Sequence, residues 1–186
     1  MMRTFIALEL NSPVRDQLAQ ISAPFLGKNR EIKWVAPENL HLTLKFLGEI
    51  TANQCEGIKN ALKEICAKHH PFSLTFQGLG AFPHFRSPKI IWAGVNDSAP
   101  LLGLVKDISS LIKAGDGKDF RPHITLARIK ENSPRLLDVI KDLEEKRSHL
   151  FGTVKIEGIS FMESVLRPAG PIYQKISFSK LKIVDN

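Results

Sequence analysis

Two short motifs of the same pattern, each His-x-Thr-Leu, stand roughly eighty residues apart in this sequence. One is HLTL at residues 41–44, and the other is HITL at residues 123–126. Both lie in apolar runs that favour β-strands, and alternate residues of a strand share one face. Each motif therefore predicts a histidine beside a threonine on one face, held in place by two apolar side chains that pack on the other.

The two histidines suit acid–base chemistry. An imidazole titrates near neutral pH, so one histidine can act as a general base while the other acts as a general acid. If His41 and His123 face one cleft, the pair fits a displacement at phosphorus, in which one imidazole takes the nucleophile's proton and the other protonates the leaving oxygen. The hydroxyls of Thr43 and Thr125 can then donate hydrogen bonds to the non-bridging phosphate oxygens.

Three cations near the motifs could offset the charge that develops on the phosphate. Lys45 continues the polar alternation of the first strand, so we expect its ammonium group on the side of His41. Arg128 lies five residues after His123 and has the opposite parity, so its side chain would face away unless the strand bulges or ends there. Arg121 stands two residues before His123.

Other kinds of site have weaker support. A metal site needs three or four converging ligands, but the sequence has no His-x-His or His-Glu-x-x-His pattern, and threonine is a poor zinc ligand. It also has no glycine-rich loop of the kinds that bind ATP or dinucleotides. We therefore expect no metal and no cofactor. One alternative for the motifs themselves is structural, with half-buried strand histidines that each hydrogen-bond a threonine.

Strands and helices alternate along the chain. Strands are predicted at residues 3–10, 32–36, 40–50, 72–78, 89–95 and 121–129, and then in TVKIEGISFM and YQKISFSKL. Helices are predicted at residues 12–25, 51–69, 100–113 and 133–149. Ser12-Pro13 and Ser133-Pro134 are typical helix starts, and Thr51 with Gln54 resembles a capping box.

The elements around each motif repeat in the same order. Each motif strand is followed by a helix, by a strand that ends in a glycine, and by another strand. Gly78 lies 37 residues after His41, and Gly158 lies 35 residues after His123. This repetition indicates two similar α/β lobes, related by pseudo-twofold symmetry, whose motif strands lie across a shared cleft. The stretch 114–119, which contains Gly and Asp, is the candidate junction between them.

The composition narrows the class of protein. A chain of 186 residues suits one domain or two small lobes, and a net charge of +7 favours a polyanionic partner, above all nucleic acid. Cys55 and Cys66 lie on one predicted helix about 16 Å apart, too far for a disulfide. Because no apolar run approaches about 20 residues and no signal peptide is evident, we expect a cytoplasmic protein that does not enter a membrane.

Several segments together resemble the 2H phosphoesterase superfamily, and more closely its RNA 2′,3′-cyclic phosphodiesterase family, also called 2′-5′ RNA ligases. They are RTFIAL, HLTLKFLGE, residues 78–82, RPHITLAR and ESVLRPAGPIY. The resemblance covers nearly the whole chain. It implies an α+β fold in which residues 1–186 form a single domain of two α/β lobes with mainly antiparallel sheets, one motif per lobe and the active-site cleft between them.

The resemblance also implies an activity, which is metal-free hydrolysis of RNA 2′,3′-cyclic phosphate ends to 2′-phosphomonoesters. His41 matches the family's proton donor and His123 its proton acceptor, although the symmetry of the motifs leaves this division open. Thr43 and Thr125 match threonines that contact phosphate, and Arg128 matches a basic position after the second motif. Joining of RNA ends by a 2′-5′ bond is the reverse reaction, and an aqueous medium favours hydrolysis.

Two alternative functions stay open. A 2H phosphoesterase could act on a small cyclic nucleotide, and a non-catalytic module could use the histidines only to bind RNA or a nucleotide. The leading hypothesis implies as partner an RNA or oligonucleotide with a 2′,3′-cyclic phosphate end, and we expect a monomer. Trp34, Phe82, Phe85 and Tyr173 flank the expected cleft and are candidates for stacking on the terminal base.

Overall fold

The computed structural model describes residues 1–27, 30–96, 99–115, 119–131, 136–168 and 170–183. Its strands are β1 (Met2–Glu9), β2 (Ile32–Trp34), β3 (His41–Ile50), β4 (Phe72–Phe82), β5 (Ile90–Val95), β6 (His123–Ile129), β7 (Leu150–Ile156), β8 (Gly158–Arg167) and β9 (Gly170–Lys180). Its α-helices are α1 (Ser12–Ser22), α2 (Ala52–Cys66), α3 (Ala99–Leu111) and α4 (Leu136–Glu145). Short 3-10 helices cover Ala23–Phe25 and Pro37–Asn39.

The strands form two sheets in which every described pairing is antiparallel. The first sheet has the order β3-β1-β8-β9, and the second has the order β2-β6-β5-β4-β7. One motif strand lies in each sheet, and β3 of the first sheet contacts β6 of the second. The expected α+β fold of two lobes with antiparallel sheets is confirmed.

Alternating apolar side chains build the core between the sheets and the helices. Helix α1 packs against β7, α2 packs against β8 and β9, and α4 packs against β4. One hydrophobic cluster contains buried side chains from both sheets and all four helices, among them Ile6, Leu62 and Ile91. The two lobes are therefore packed on a shared core, which holds their motif strands side by side.

Two helix starts follow from side-chain capping. Thr51 accepts a hydrogen bond from the backbone N–H of Gln54, and the Gln54 side chain accepts one from the N–H of Thr51, which confirms the predicted capping box. Helix α1 is capped by Asn11, whose side chain accepts from the N–H of Val14, and the expected cap Ser12 is already the first helical residue. The predicted start at residues 133–134 lies outside the described residues.

The path of the chain between the sheets differs from the predicted repeat. Strand β4 follows α2 but joins the second sheet, and β7 is separated from β8 only by Glu157, at which the chain passes from the second sheet to the first. The stretch 114–119, of which residues 116–118 lie outside the described part, is not the junction because β5 and β6 on either side share one sheet. No helix among the described residues has the length and apolar character to cross a membrane.

Candidate active site

The two motif histidines occupy corresponding places, each at the first residue of its strand. His41 begins β3 and His123 begins β6, and both side chains are half-buried. The residues that alternate with them are buried, with Leu42 at 0% and Ile124 at 0% exposure. The apolar face of each strand therefore packs into the core, and the opposite face presents the imidazole and the threonine hydroxyl.

A backbone carbonyl two residues upstream orients each imidazole. The Nδ1–H of His41 donates to the carbonyl of Asn39 at 2.7 Å, and the Nδ1–H of His123 donates to the carbonyl of Arg121 at 2.6 Å. A carbonyl can only accept, so these bonds place a proton on Nδ1 in both rings. The Nε2 atom is then the one that can accept or release a proton toward the cleft.

The two Nε2 atoms have different neighbours. Nε2 of His41 lies 3.0 Å from the Thr43 hydroxyl, which donates to the neutral ring and accepts from the protonated one. Nε2 of His123 has no hydrogen-bond partner among the described residues, although Thr125 lines the same cleft. The second imidazole is therefore the more open to a substrate or a water molecule.

Aromatic rings surround the histidines unequally. Phe5 stacks on the His41 ring with 4.8 Å between centroids, and Tyr173 meets it edge-on at 5.1 Å. Phe82 meets the His123 ring edge-on at 5.1 Å. Burial lowers the pKa of His41, because the ring loses water that would solvate its cation, and the hydrogen bond to the Asn39 carbonyl only partly opposes this effect. The free protein thus favours the neutral form of His41.

A one-residue shift in strand register turns Arg128 toward the cleft. Thr125 is opposite Trp92 and Ala127 is opposite Ile91, so Leu126 has no partner of its own in β5. The side chains of Leu126 and Ala127 are consecutive and both buried, at 3% and 0% exposure. The extra residue restores the parity of Arg128, which lines the same cleft as His123.

The first motif carries the same register shift. Thr43 is opposite Ala7 and Lys45 is opposite Ile6, so Leu44 has no partner of its own in β1. Lys45 is half-buried, and its side chain lines the cleft together with His41 and Thr43. The next residue, Phe46, also lines the cleft and is opposite Phe5, with which it is in ring contact.

Both motifs line one cleft with a volume of about 1180 Å³. Its described lining includes six cations and two carboxylates, and the carboxylates are Glu38 and Asp119. The cations are Arg3, Lys33, Lys45, Arg121, Arg128 and Arg167. Within the described part of the chain none of these six forms an ion pair, whereas five cations elsewhere do. The cleft is therefore positively charged and suited to an anionic ligand.

Three of the four aromatic candidates lie in the cleft. Trp34, Phe82 and Tyr173 line it, and burial raises the pKa of Tyr173 against the opposing charges of Arg128 and Arg3. The fourth, Phe85, is not part of the described lining and instead lies under the guanidinium of Arg147 at 5.0 Å.

Residue-by-residue reasoning missed the groups that hold His41 in place. The sequence predicts only that Phe5 lies in a strand and that Asn39 lies in a turn near Pro37. The Asn39 side chain donates to the carbonyl of Pro171 at 3.0 Å, which ties the residue that orients His41 to strand β9. One sequence feature could have identified Asn39. It stands two residues before His41, and Arg121 stands two residues before His123.

The donor set of the cleft favours proton transfer. Among the described residues no three His, Cys, Asp or Glu side chains converge as metal ligands. The two imidazoles, each with Nδ1 held by a carbonyl and Nε2 directed to the cleft, can instead supply one proton and accept another. Two hydroxyls and six cations line the same cleft, and such groups can stabilise a phosphoryl group.

Comparisons with known proteins show the family of this chain. A family model described as LigT like phosphoesterase matches residues 8–92 and 96–173. A protein of Archaeoglobus fulgidus named RNA 2′,3′-cyclic phosphodiesterase is 34% identical over 178 residues, which cover 94% of this chain and 98% of the relative. A protein of the same name from Aquifex aeolicus is 40% identical over 148 residues, which cover 76% of this chain and 77% of the relative.

Solved structures share the fold. A crystal structure of a Thermus thermophilus protein superposes with a TM-score of 0.80 and 29% identity, over 97% of this chain and 98% of that chain. Apo LigT of E. coli superposes with a TM-score of 0.77 over 98% of both chains, and its 23% identity supports the fold alone.

Proposed function

Because the chain belongs to the LigT-like phosphoesterase family, we propose that it hydrolyses the 2′,3′-cyclic phosphodiester at an RNA end to a 2′-phosphomonoester. The observation that carries this proposal is the pair of His-x-Thr strands that face one basic cleft. The relatives' name, RNA 2′,3′-cyclic phosphodiesterase, supports the substrate class.

In the proposed reaction, His123 is the proton acceptor and His41 the proton donor. Nε2 of His123 takes a proton from the attacking water, whose oxygen forms a bond to phosphorus. The bond from phosphorus to the 3′ oxygen breaks, and Nε2 of His41 gives that oxygen its proton. Each ring keeps its Nδ1 proton on a carbonyl throughout, so each needs only Nε2 for the transfer.

The remaining groups of the proposed site stabilise charge. The hydroxyls of Thr43 and Thr125 donate to the non-bridging phosphate oxygens, and the guanidinium of Arg128 offsets the negative charge that builds up in the transition state. Lys45 lines the cleft and adds positive potential.

The lowered pKa of His41 is unfavourable for a proton donor in the free protein. A donor must be protonated, and burial disfavours the protonated imidazole in the free protein. A bound cyclic phosphate carries a negative charge, which favours the protonated ring. We therefore propose that the substrate itself raises the pKa of His41 into the working range.

Product analysis on a short RNA with a 2′,3′-cyclic end tests the function. We expect a 2′-phosphate, because the bond to the 3′ oxygen is the one that breaks. A 3′-phosphate would show that the bond to the 2′ oxygen breaks instead. An unchanged cyclic end after hours would favour a non-catalytic binding module. A comparison with a mononucleotide 2′,3′-cyclic phosphate tests the alternative of a small cyclic nucleotide as substrate.

We also propose that the reaction needs no metal and that the protein works as a cytoplasmic monomer. Turnover after treatment with EDTA tests the first point, and a loss that a divalent ion restores would contradict it. Sedimentation equilibrium tests the second. The 2′-5′ joining of RNA ends is the reverse of the proposed step, and an excess of water opposes it.

A further inference from the structure

We propose that Lys33 and Arg167 bind a backbone phosphate on the 5′ side of the terminal nucleotide, so that the enzyme prefers an oligonucleotide to a mononucleotide. This inference rests on the proposed function, and it narrows the substrate to RNA longer than one nucleotide. Both side chains are exposed and line the same cleft as the histidines, one from each sheet.

Lys33 lies beyond Arg128 on the same face of the second sheet. The two are direct partners across β2 and β6, and such partners project their side chains to one side. Arg128 is five residues from His123, roughly 15 Å along the strand, and β2 is about 4.8 Å further out. A row of positive charge thus runs from the histidines past the reach of a single cyclic phosphate.

The β8–β9 hairpin brings Arg167 to the same end of the cleft. Arg167 is opposite Gly170 at the end of the hairpin, and the Lys33 Nζ lies 3.9 Å from the place a Cβ of Gly170 would occupy. The neighbouring Pro171 carbonyl accepts from the Asn39 side chain at 3.0 Å. The hairpin of the first sheet is therefore held against the segment that carries Lys33.

Among the described residues, neither of the two cations at this end has a carboxylate as an ion-pair partner, while Lys155 pairs with Glu157 and Lys175 pairs with Glu9 outside the cleft. Glu38 is the acidic residue of the lining on the β2–β3 segment. Unpaired cations along a groove are what proteins use to follow a single-stranded nucleic-acid backbone.

The volume of the cleft agrees with a longer ligand. At about 1180 Å³ the cleft lies above the usual range of about 300–1,000 Å³ for small-molecule pockets. The histidines take the cyclic end in the proposed reaction, which leaves the Lys33 and Arg167 end for the preceding nucleotides.

The test compares two substrates in the double variant Lys33→Gln/Arg167→Gln. The substrates are a five-nucleotide RNA with a 2′,3′-cyclic end and adenosine 2′,3′-cyclic monophosphate. We expect kcat/KM to fall at least tenfold on the RNA and less than twofold on the mononucleotide. The slope of log kcat/KM for the RNA against log salt should become shallower by about 0.7, since the contact to one phosphate of a single strand contributes about that much.

A matched control is Lys63→Gln/Lys141→Gln, which removes the same charge from exposed positions on α2 and α4 outside the cleft. This variant should keep both activities within twofold. An equal fall on both substrates in the cleft variant, or no fall on the RNA, would overturn the subsite.

A binding measurement separates this inference from the proposed function. Fluorescence anisotropy gives the Kd for a labelled five-nucleotide RNA that ends in a 2′-phosphate, without turnover. If the wild type hydrolysed neither substrate but the cleft variant bound this RNA at least fivefold more weakly, the reaction would be refuted and the subsite supported. An unchanged Kd in the cleft variant would refute the subsite.

Discussion

At the scale of single residues, the two histidines share one feature, which is a hydrogen bond to the backbone carbonyl two positions before each ring. Asn39 and Arg121 accept the Nδ1 protons of His41 and His123, which fixes the tautomer and directs Nε2 to the cleft. The acceptor is a backbone atom, so residue identity does not specify it. Preorganised rings of this kind lose little orientational freedom when the substrate binds.

The first prediction concerns the two imidazoles. His41→Ala or His123→Ala should lower kcat on a cyclic RNA end by about 10²–10⁴-fold, or about 3–5 kcal/mol of barrier, because each variant lacks one proton-transfer group. Steady-state kinetics measures the loss, and circular dichroism checks the fold. His70→Ala, at an exposed position, is the control and should keep wild-type turnover. Near wild-type kcat in either active-site variant would refute the assignment.

The second prediction identifies which histidine donates the proton. Burial lowers the pKa of His41, and Tyr173 contributes to that burial through its edge contact. Tyr173→Ala admits water to the ring and should raise the pKa of His41 toward its ordinary value. A donor must be protonated, so the alkaline limb of kcat/KM against pH should move to higher pH in this variant.

The opposite outcome has an equally definite meaning. If His41 is the proton acceptor, the neutral ring is required, and raising its pKa moves the acid limb to higher pH while the alkaline limb stays in place. That result would exchange the proposed roles of His41 and His123. Wild-type and variant profiles at the same ionic strength separate the two outcomes.

At the scale of elements, each motif strand combines a packed face with a one-residue register shift. The shift follows Thr43 in β3 and Thr125 in β6, at equivalent places of the two motifs. After the shift, Phe46 of β3 and Arg128 of β6 both line the cleft. The two motif strands are therefore alike in backbone, and they differ in the side chain that follows the shift, an aromatic ring in β3 and a guanidinium in β6.

The third prediction concerns the packed faces. Leu42 and Ile124 are fully buried at 0% exposure, so Leu42→Ala or Ile124→Ala should lower the free energy of unfolding by about 2–5 kcal/mol. Urea denaturation measures the change. Leu137 is 68% exposed on α4, and Leu137→Ala should change the free energy by less than about 0.5 kcal/mol. A loss under about 1 kcal/mol in the buried variants would show that these faces do not anchor the motifs.

At the scale of the whole molecule, the chain crosses between the sheets several times. Strand β4 leaves the sheet of His41 for that of His123, and the β8–β9 hairpin returns to the sheet of His41. The continuous hydrophobic cluster across both sheets supports our proposal that residues 1–186 form one domain of two lobes. The cleft, the positions of Arg128 and Lys33, and the contact of the β8–β9 hairpin with the segment that carries Lys33 all depend on the packing of the two sheets together.

The fourth prediction tests the single domain. Differential scanning calorimetry should show one transition whose calorimetric and van't Hoff enthalpies agree, because neither sheet keeps its core without the other. With about 0.7 kcal/mol per residue near 60 °C, the enthalpy should be about 130 kcal/mol. Two separated transitions, or a van't Hoff enthalpy near half the calorimetric value, would indicate lobes that unfold independently.

The sequence by itself determined the local features of this protein. The period-two alternation around His41 and His123 set the strands and their packed faces, the capping box set the start of α2, and the basic composition favoured an anionic ligand. Each of these depends on neighbours a few residues apart along the chain, so the order of residues is enough to predict them.

Only the tertiary structure decided the features that depend on distant partners. The face of Arg128 follows from its register against β5, and the lowered pKa of His41 follows from burial against Phe5 and Tyr173. The exchange of strands between the lobes also depends on which strands pair. It is the reason why the junction predicted at residues 114–119 is wrong. Strand pairing and burial are set by contacts between segments far apart in the chain, and a local pattern does not specify those contacts.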